Sequence, residues 1–186
     1  MRRLTLTLLA VWPLAALASE PSIDLETGLA TWQAEVRGIQ VRLTQISPDQ
    51  IRGFYLARGF SPEATERYAR ECVFMTVVRN VGETPIWHNL ANWRYVSADQ
   101  PPRTIRSKVA WERLWKRQGV SESARIAFTW AQFPAVQVFA PGDWNQGMTS
   151  YSVPRGGHFD LSFVWHADGR THSGKLEQVR CADENS

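Results

Sequence analysis

Apolar and polar positions change period several times along the chain, and each change marks an element. Between Thr31 and Thr44, Trp32, Ala34 and Val36 and then Ile39, Val41 and Leu43 alternate with polar residues on either side of Gly38, a pattern of two short strands or one strand broken at a glycine bulge. The period then lengthens. Ser47 precedes Pro48, Gln50 completes a capping box with Ser47, and Ile46 and Ile51 stand where a hydrophobic staple places them. Ile51, Phe54, Tyr55 and Arg58 follow at helical spacing and Gly59 supplies a left-handed stop, which predicts a helix from Pro48 to Arg58. Ser61-Pro62-Glu63 repeats the start signal, and Ala64, Tyr68 and Cys72 share a face, so a second helix is expected to about Glu71.

From Val73 the period returns to two. Val73, Met75 and Val77 alternate against Phe74, Thr76 and Val78, and both sets are largely apolar, as in a strand covered on both faces. Asn80 to Glu83 reads as a turn, Pro85 to Tyr95 as an extended segment, and Gln100-Pro101-Pro102 as a break. Trp111, Leu114 and Trp115 form a helical stripe between Ser107 and Gln118, followed by Lys116, Arg117 and Gly119. Ile126, Phe128 and Trp130 alternate like a strand that Pro134 ends. Val136 to Phe139, Met148 to Val153, Phe159 to Trp165 and Thr171 to Cys181 complete a series of strands, with Asp168-Gly169 as a two-residue hairpin turn. The expected fold is mainly β: an antiparallel sandwich with an inserted helical pair over 48–71 and a short Trp-rich helix over 107–118.

A family resemblance joins these strands. Thr76-Val77-Val78-Arg79-Asn80-Val81-Gly82-Glu83-Thr84-Pro85-Ile86, then Ala140-Pro141-Gly142-Asp143, Gly147, Tyr151-Ser152-Val153-Pro154 and the alternation Phe159, Leu161, Phe163 resemble secreted immunoglobulin-like accessory domains of the telokin-like type. The resemblance spans about Gln40 to the end. It implies an immunoglobulin-like β-sandwich and carries no catalytic residue, and the chain departs from it by the helices at 48–71 and 107–118.

The amino end alters the charge balance. Arg2 and Arg3, the apolar run Leu4 to Leu17 and the small residues Ala16 and Ala18 read as a cleavable signal over 1–18. A retained anchor needs about 20 apolar residues, and this run is shorter and holds Pro13. Removing Arg2 and Arg3 from the 21 basic residues leaves 19 against 18 acidic ones, a net charge of about +1 in place of +3. No basic run remains for nucleic acid, and no membrane span is expected after cleavage. Residues 19–30 read as a loose arm and 31–186 as one domain. In an oxidising periplasmic or extracellular compartment, Cys72 and Cys181 are expected to form a disulfide, worth at most roughly 4 to 5 kcal/mol for a loop of about 110 residues.

The chemistry-bearing residues are scattered. Pairing Ala167 with Arg170 across the turn sets His166 opposite Thr171 and His172 opposite Trp165. His158 and His166 then share a face but stand about 26 Å apart along the strand. A copper site built from Met75, Met148 and a histidine, with Met148, His158 and His166 as candidate ligands, suits soft-metal chemistry, although no Met-x-Met or His-x-His spacing accompanies it. Carboxylates for glycoside hydrolysis are drawn least arbitrarily from Asp143, or from Asp160 with Glu177 opposite it, at about 5 Å between Cβ atoms. No Gly-x-Ser-x-Gly elbow is present.

Trp87-His88-Asn89, Asn92-Trp93 and Asp143-Trp144-Asn145-Gln146 set rings beside amides, so Trp87, His88, Trp93, Trp144 and Asn145 are candidate contacts to a glycan or an envelope protein; the competing expectation is that these rings fill the core. The pattern as a whole points to a periplasmic, non-catalytic binding or accessory protein without a cofactor. A copper-handling protein and a carbohydrate-binding module or carbohydrate-active enzyme stand as alternatives.

Overall fold

Among the described residues, two five-stranded antiparallel sheets face each other, and four α-helices cover the outer side of one of them. The computed structural model describes residues 20–98 and 100–184; the expected signal over 1–18 lies outside them. Sheet one runs in the order β1 (Ser22–Ile23), β2 (Ala30–Val36), β3 (Ile39–Gln45), β4 (Cys72–Asn80) and β8 (Trp144–Tyr151). Sheet two runs β10 (Arg170–Arg180), β9 (His158–Ala167), β5 (Ile86–Asn89) and β7 (Val136–Phe139), with β6 (Arg94–Val96) also on β9.

Of the two readings at Gly38, the hairpin is the one found. Arg37 and Gly38 both take positive φ, 46° and 85°, as a two-residue turn between β2 and β3 requires, and Val36 pairs with Ile39. The alternating residues then point inward: Trp32, Ile39, Val41, Leu43, Phe74 and Val78 meet Phe159, Leu161, Phe163 and Trp165 of sheet two. The hairpin from β9 to β10 has the expected register, with Ala167 opposite Arg170 and His172 opposite Trp165. Cys72 at the start of β4 bonds to Cys181 just beyond β10, tying the sheets together across 109 positions. Gln45 makes a second tie, accepting from the Ala30 N–H at 2.8 Å and donating to the Arg180 carbonyl at 2.8 Å.

The helical pair forms because its caps are complete. In α1 (Pro48–Leu56) both halves of the Ser47–Gln50 capping box are made, and in α2 (Pro62–Ala69) the Ser61 hydroxyl accepts from the Ala64 N–H. Ile51, Tyr55, Ala64 and Tyr68 turn toward sheet one, where Val73 and Met148 complete a second core. Trp111 and Trp115 of α3 (Lys108–Arg117) stack in it with ring centroids 5.0 Å apart. This layer explains why β4 is apolar on both faces: one meets sheet two and the other meets helices.

The segment around Phe128 corrects the sequence expectation. Ile126, Phe128 and Trp130 lie not on a strand but on a fourth helix, α4 (Glu122–Ala131), capped by Ser121. Ala124 and Phe128, four apart, are buried, whereas Ile126 and Trp130 are 51% and 84% exposed. The apparent alternation placed two of its three apolar side chains in solvent. Burial of the Ala124–Phe128 face against Tyr55, Tyr68 and Trp115 decides for helix.

Candidate functional site

The candidate aromatic residues divide between core and surface. Trp93 is fully buried and donates its ring N–H to the Val164 carbonyl at 3.0 Å. His88 is also fully buried, among Trp93, Phe133 and Phe139, with neither ring nitrogen hydrogen-bonded, and burial pushes its pKa down to about 4. Trp87, on the opposite face of β5, is half-buried with its ring 4.8 Å from His166. Trp144 is 58% exposed at the free edge of β8, and Asn145 beside it donates to the Gln137 side chain at 2.8 Å. The structure therefore brings Trp87 and His166 together but keeps Trp144 apart from them, on the other sheet.

The candidate metal ligands fall on opposite sides of the sandwich. Met148 lies under the helices, its sulfur accepting from the Tyr55 hydroxyl at 3.3 Å, and half-buried Met75 packs there too. His158 and His166 flank the run of inward residues from Phe159 to Trp165 on β9 and alternate with them, so they face away from sheet one. Among the described residues no group of three His, Cys, Asp or Glu is gathered for a metal ion. The carboxylate pair is interrupted by a lysine: a bulge follows Leu176, and the Lys175 ammonium lies 3.0 Å from both Asp160 and Glu177. Partial burial alone would raise the Asp160 pKa, but the Gln178 N–H and Lys175 outweigh it and hold the carboxyl below its usual range. A general acid needs the opposite shift.

A cleft of about 720 Å³ opens elsewhere, where the helical layer meets the end of sheet two. Gln132, Phe133, Met148 and Thr149 form its floor, Leu90, Ala91 and Ala135 one wall, and residues 102–108 with Ala110 the other. The floor depends on Gly147. The Phe133 N–H donates to the Met148 carbonyl at 3.0 Å, and a Cβ at Gly147 would come within 2.4 Å of the Phe133 nitrogen, so only glycine lets this segment lie on β8. The far wall is fastened at two points. Arg103 and Tyr95 exchange backbone hydrogen bonds at 2.9 Å, and Ile105 is buried in the inter-sheet core.

Beneath the floor the polar groups are mutually bonded. The Gln132 carboxamide accepts from Tyr68 at 3.2 Å and donates to Tyr55 at 3.1 Å, and burial drives both phenol pKa values up, which keeps them neutral. At the mouth the charged groups of the lining are all cations. Arg103, Arg106 and Lys108 line the cleft, and no Asp, Glu, His or Cys does. Arg106 lies over the Trp111 ring at 4.5 Å and 3.4 Å from Glu71, whereas Arg103 bonds only neutral partners, the Ser152 carbonyl and the Gln100 side chain. Of the lining hydroxyls of Thr104, Ser107, Thr149 and Ser152, that of Ser152 donates at 2.9 Å to Glu71, a carboxylate just outside the lining that also pairs with Arg106, and no histidine accompanies them.

None of the residues singled out for binding in the sequence except Met148 lines this cleft. The signal that marks it is the run Pro101-Pro102-Arg103-Thr104-Ile105-Arg106-Ser107-Lys108, three cations in six positions with no acid, after a rigid break. No protein-family model, no curated protein and no solved structure matches this chain.

Proposed function

We propose that this chain is an exported, non-catalytic binding or accessory protein of the periplasm or cell envelope, and that the cleft between residues 102–110 and the floor of Phe133 and Met148 is where it binds. The observation that carries the reading is the cleft's lining: a drug-sized concavity with apolar walls and a few convergent polar groups, in which Glu71, the carboxylate that Ser152 meets, is itself paired with Arg106. The signal pattern of residues 1–18 and the Cys72–Cys181 disulfide support an oxidising compartment. The two antiparallel sheets support the finer reading of an immunoglobulin-like, telokin-like accessory domain.

The test is a small-molecule screen by thermal unfolding on the mature, oxidised chain, run beside Ala110→Trp, which fills the cleft from an exposed position on α3. Ligands that raise the midpoint of the parent chain and leave the filled variant unmoved support the proposal. Ligands that stabilise both alike, or a substrate whose turnover a single substitution abolishes, contradict it.

A second reading has an observation of its own. Trp87 and His166, their rings tilted 43° to each other on the outer face of sheet two with Val138 beside Trp87, form an aromatic surface on which a sugar ring could stack against one face. Quenching of tryptophan emission by a glycan, lost in Trp87→Ala and kept in Ala110→Trp, would favour it over the cleft.

A further inference from the structure

Resting on the reading of the cleft as a binding site, we infer that its ligand is an amphipathic anion: a small molecule with one carboxylate, sulfonate or phosphate head and an apolar body. Two properties of the lining select this class. Leu90, Ile105, Ala110, Phe133, Ala135 and Met148 present apolar surface along the floor and walls, which favours burial of a hydrocarbon or aromatic body. Arg103, Arg106 and Lys108 all belong to one wall, and of the three Arg106 alone has a carboxylate partner among the described residues, Glu71, which lies outside the lining.

The state of each cation sharpens the assignment. Arg106 is already engaged by Glu71 and the Trp111 ring. Among the described residues, Arg103 and Lys108 have no acidic partner; Arg103 is instead held in place by the Ser152 carbonyl at 3.3 Å and the Gln100 side chain at 2.9 Å. A guanidinium positioned by neutral acceptors keeps its full charge and remaining N–H groups for an incoming anion. A neutral apolar ligand would leave both charges beside a desolvated surface with nothing to offset them, and a cationic one would be repelled. The lining thus discriminates by charge at the mouth and by hydrophobicity at the floor, which a simple grease pocket does not.

A matched pair of fluorescent probes tests this on the whole mature chain with its disulfide intact. Anilinonaphthalene sulfonate has the apolar body and an anionic head; phenylnaphthylamine has the same body without the head. The expected result is saturable binding of the sulfonate about tenfold or more tighter than the neutral probe, since only the sulfonate gains charge-assisted hydrogen bonds. The advantage should shrink as salt is added. Arg103→Gln with Lys108→Gln should remove most of it, by weakening the sulfonate while the neutral probe, no longer set beside two unpaired charges, binds no more weakly than before. Lys108→Gln alone, whose side chain holds no other element in place, should remove part of it, so the test survives if the double variant fails to fold.

The outcomes separate the two claims. Equal affinity for both probes, unaffected by neutralising Arg103 and Lys108, overturns the anion assignment and leaves the cleft standing, provided that Ala110→Trp weakens both. Failure of both probes to bind, or binding that Ala110→Trp leaves untouched, overturns the assignment together with the reading on which it rests.

Discussion

Between the two sheets, His88 lies among Trp93, Phe133 and Phe139 with both ring nitrogens unpaired; under the helices, Tyr55, Gln132, Tyr68 and Met148 form a continuous chain of hydrogen bonds. Both regions are buried and aromatic, yet they bury polarity on opposite terms. The helix-covered core bonds the Tyr55 and Tyr68 hydroxyls and the Gln132 amide to one another, so pH leaves them alone, and its unpaired groups, the Trp115 ring N–H and the Thr65 hydroxyl, have no charge to gain. The inter-sheet core holds a group that gains a charge when acid arrives and has nothing to pair it with. The comparison shows that a polar atom is tolerated in a dry interior either by being bonded or by being kept neutral, and only the second depends on pH.

The largest effect that separates the regions should come from the helix-covered core. Trp111→Ala removes a ring stacked on Trp115 and edge-on to Tyr68, and strips Ser150 of the indole donor at 3.0 Å. A loss of about 4 kcal/mol is expected in urea unfolding, with no dependence on pH between 4 and 7. A loss under about 1 kcal/mol would mean that the helices are an ornament on the sandwich and not a second core.

Next in size is the acid sensitivity of the inter-sheet core. The His88 pKa falls from an ordinary 6.5 to about 4 on folding, so the unfolded chain takes up the proton first as pH drops. Stability is whole above about pH 6.5 and is lost as pH falls toward 4, by roughly 2–3 kcal/mol from this one group. His88→Leu should remove that part of the slope and make the chain more stable than its parent at pH 4.5. Parallel stability curves for the two chains across pH 4–7 would refute the assignment.

Gln132→Leu comes third. It breaks the link between Tyr55 and Tyr68 and leaves both hydroxyls short of a partner, at a cost of about 1–2 kcal/mol. Because Gln132 is also floor of the cleft, probe binding should weaken with it. The smallest effect belongs to Trp130→Ala. That side chain is 84% exposed on α4, so a change within about 0.5 kcal/mol is expected, against about 3–4 kcal/mol for Phe128→Ala two residues earlier. Equal losses at both positions would restore the strand that the sequence pattern suggests.

What was legible in the sequence was local. The caps at Ser47 and Ser61, the Trp111–Trp115 stripe and the register around Asp168-Gly169 are set by neighbours a few positions apart, and each is found as expected. The fourth helix is not legible because Ile126, Phe128 and Trp130 satisfy a period of two while Ser121, Ala124 and Phe128 satisfy a helix, and the tertiary burial of Phe128 decides between them. Where the helices dock could not be read, since it depends on β8 joining β4 from about seventy residues away. The doubly apolar β4 was nonetheless a hint that sheet one is covered on both sides. The cleft is hidden for the same reason: its floor and its basic wall are brought together by contacts distant in sequence, among them the close approach at Gly147 and the Tyr95–Arg103 pairing.

Amide chemical-shift mapping of the isotope-labelled chain, titrated with anilinonaphthalene sulfonate, tests the central claim most directly. The account predicts that the shifts cluster at Leu90, Ile105, Lys108, Ala110 and Phe133, with Trp87 and Trp144 unmoved. A map centred on Trp87 and His166, or on Trp144 and the edge of β8, would contradict it.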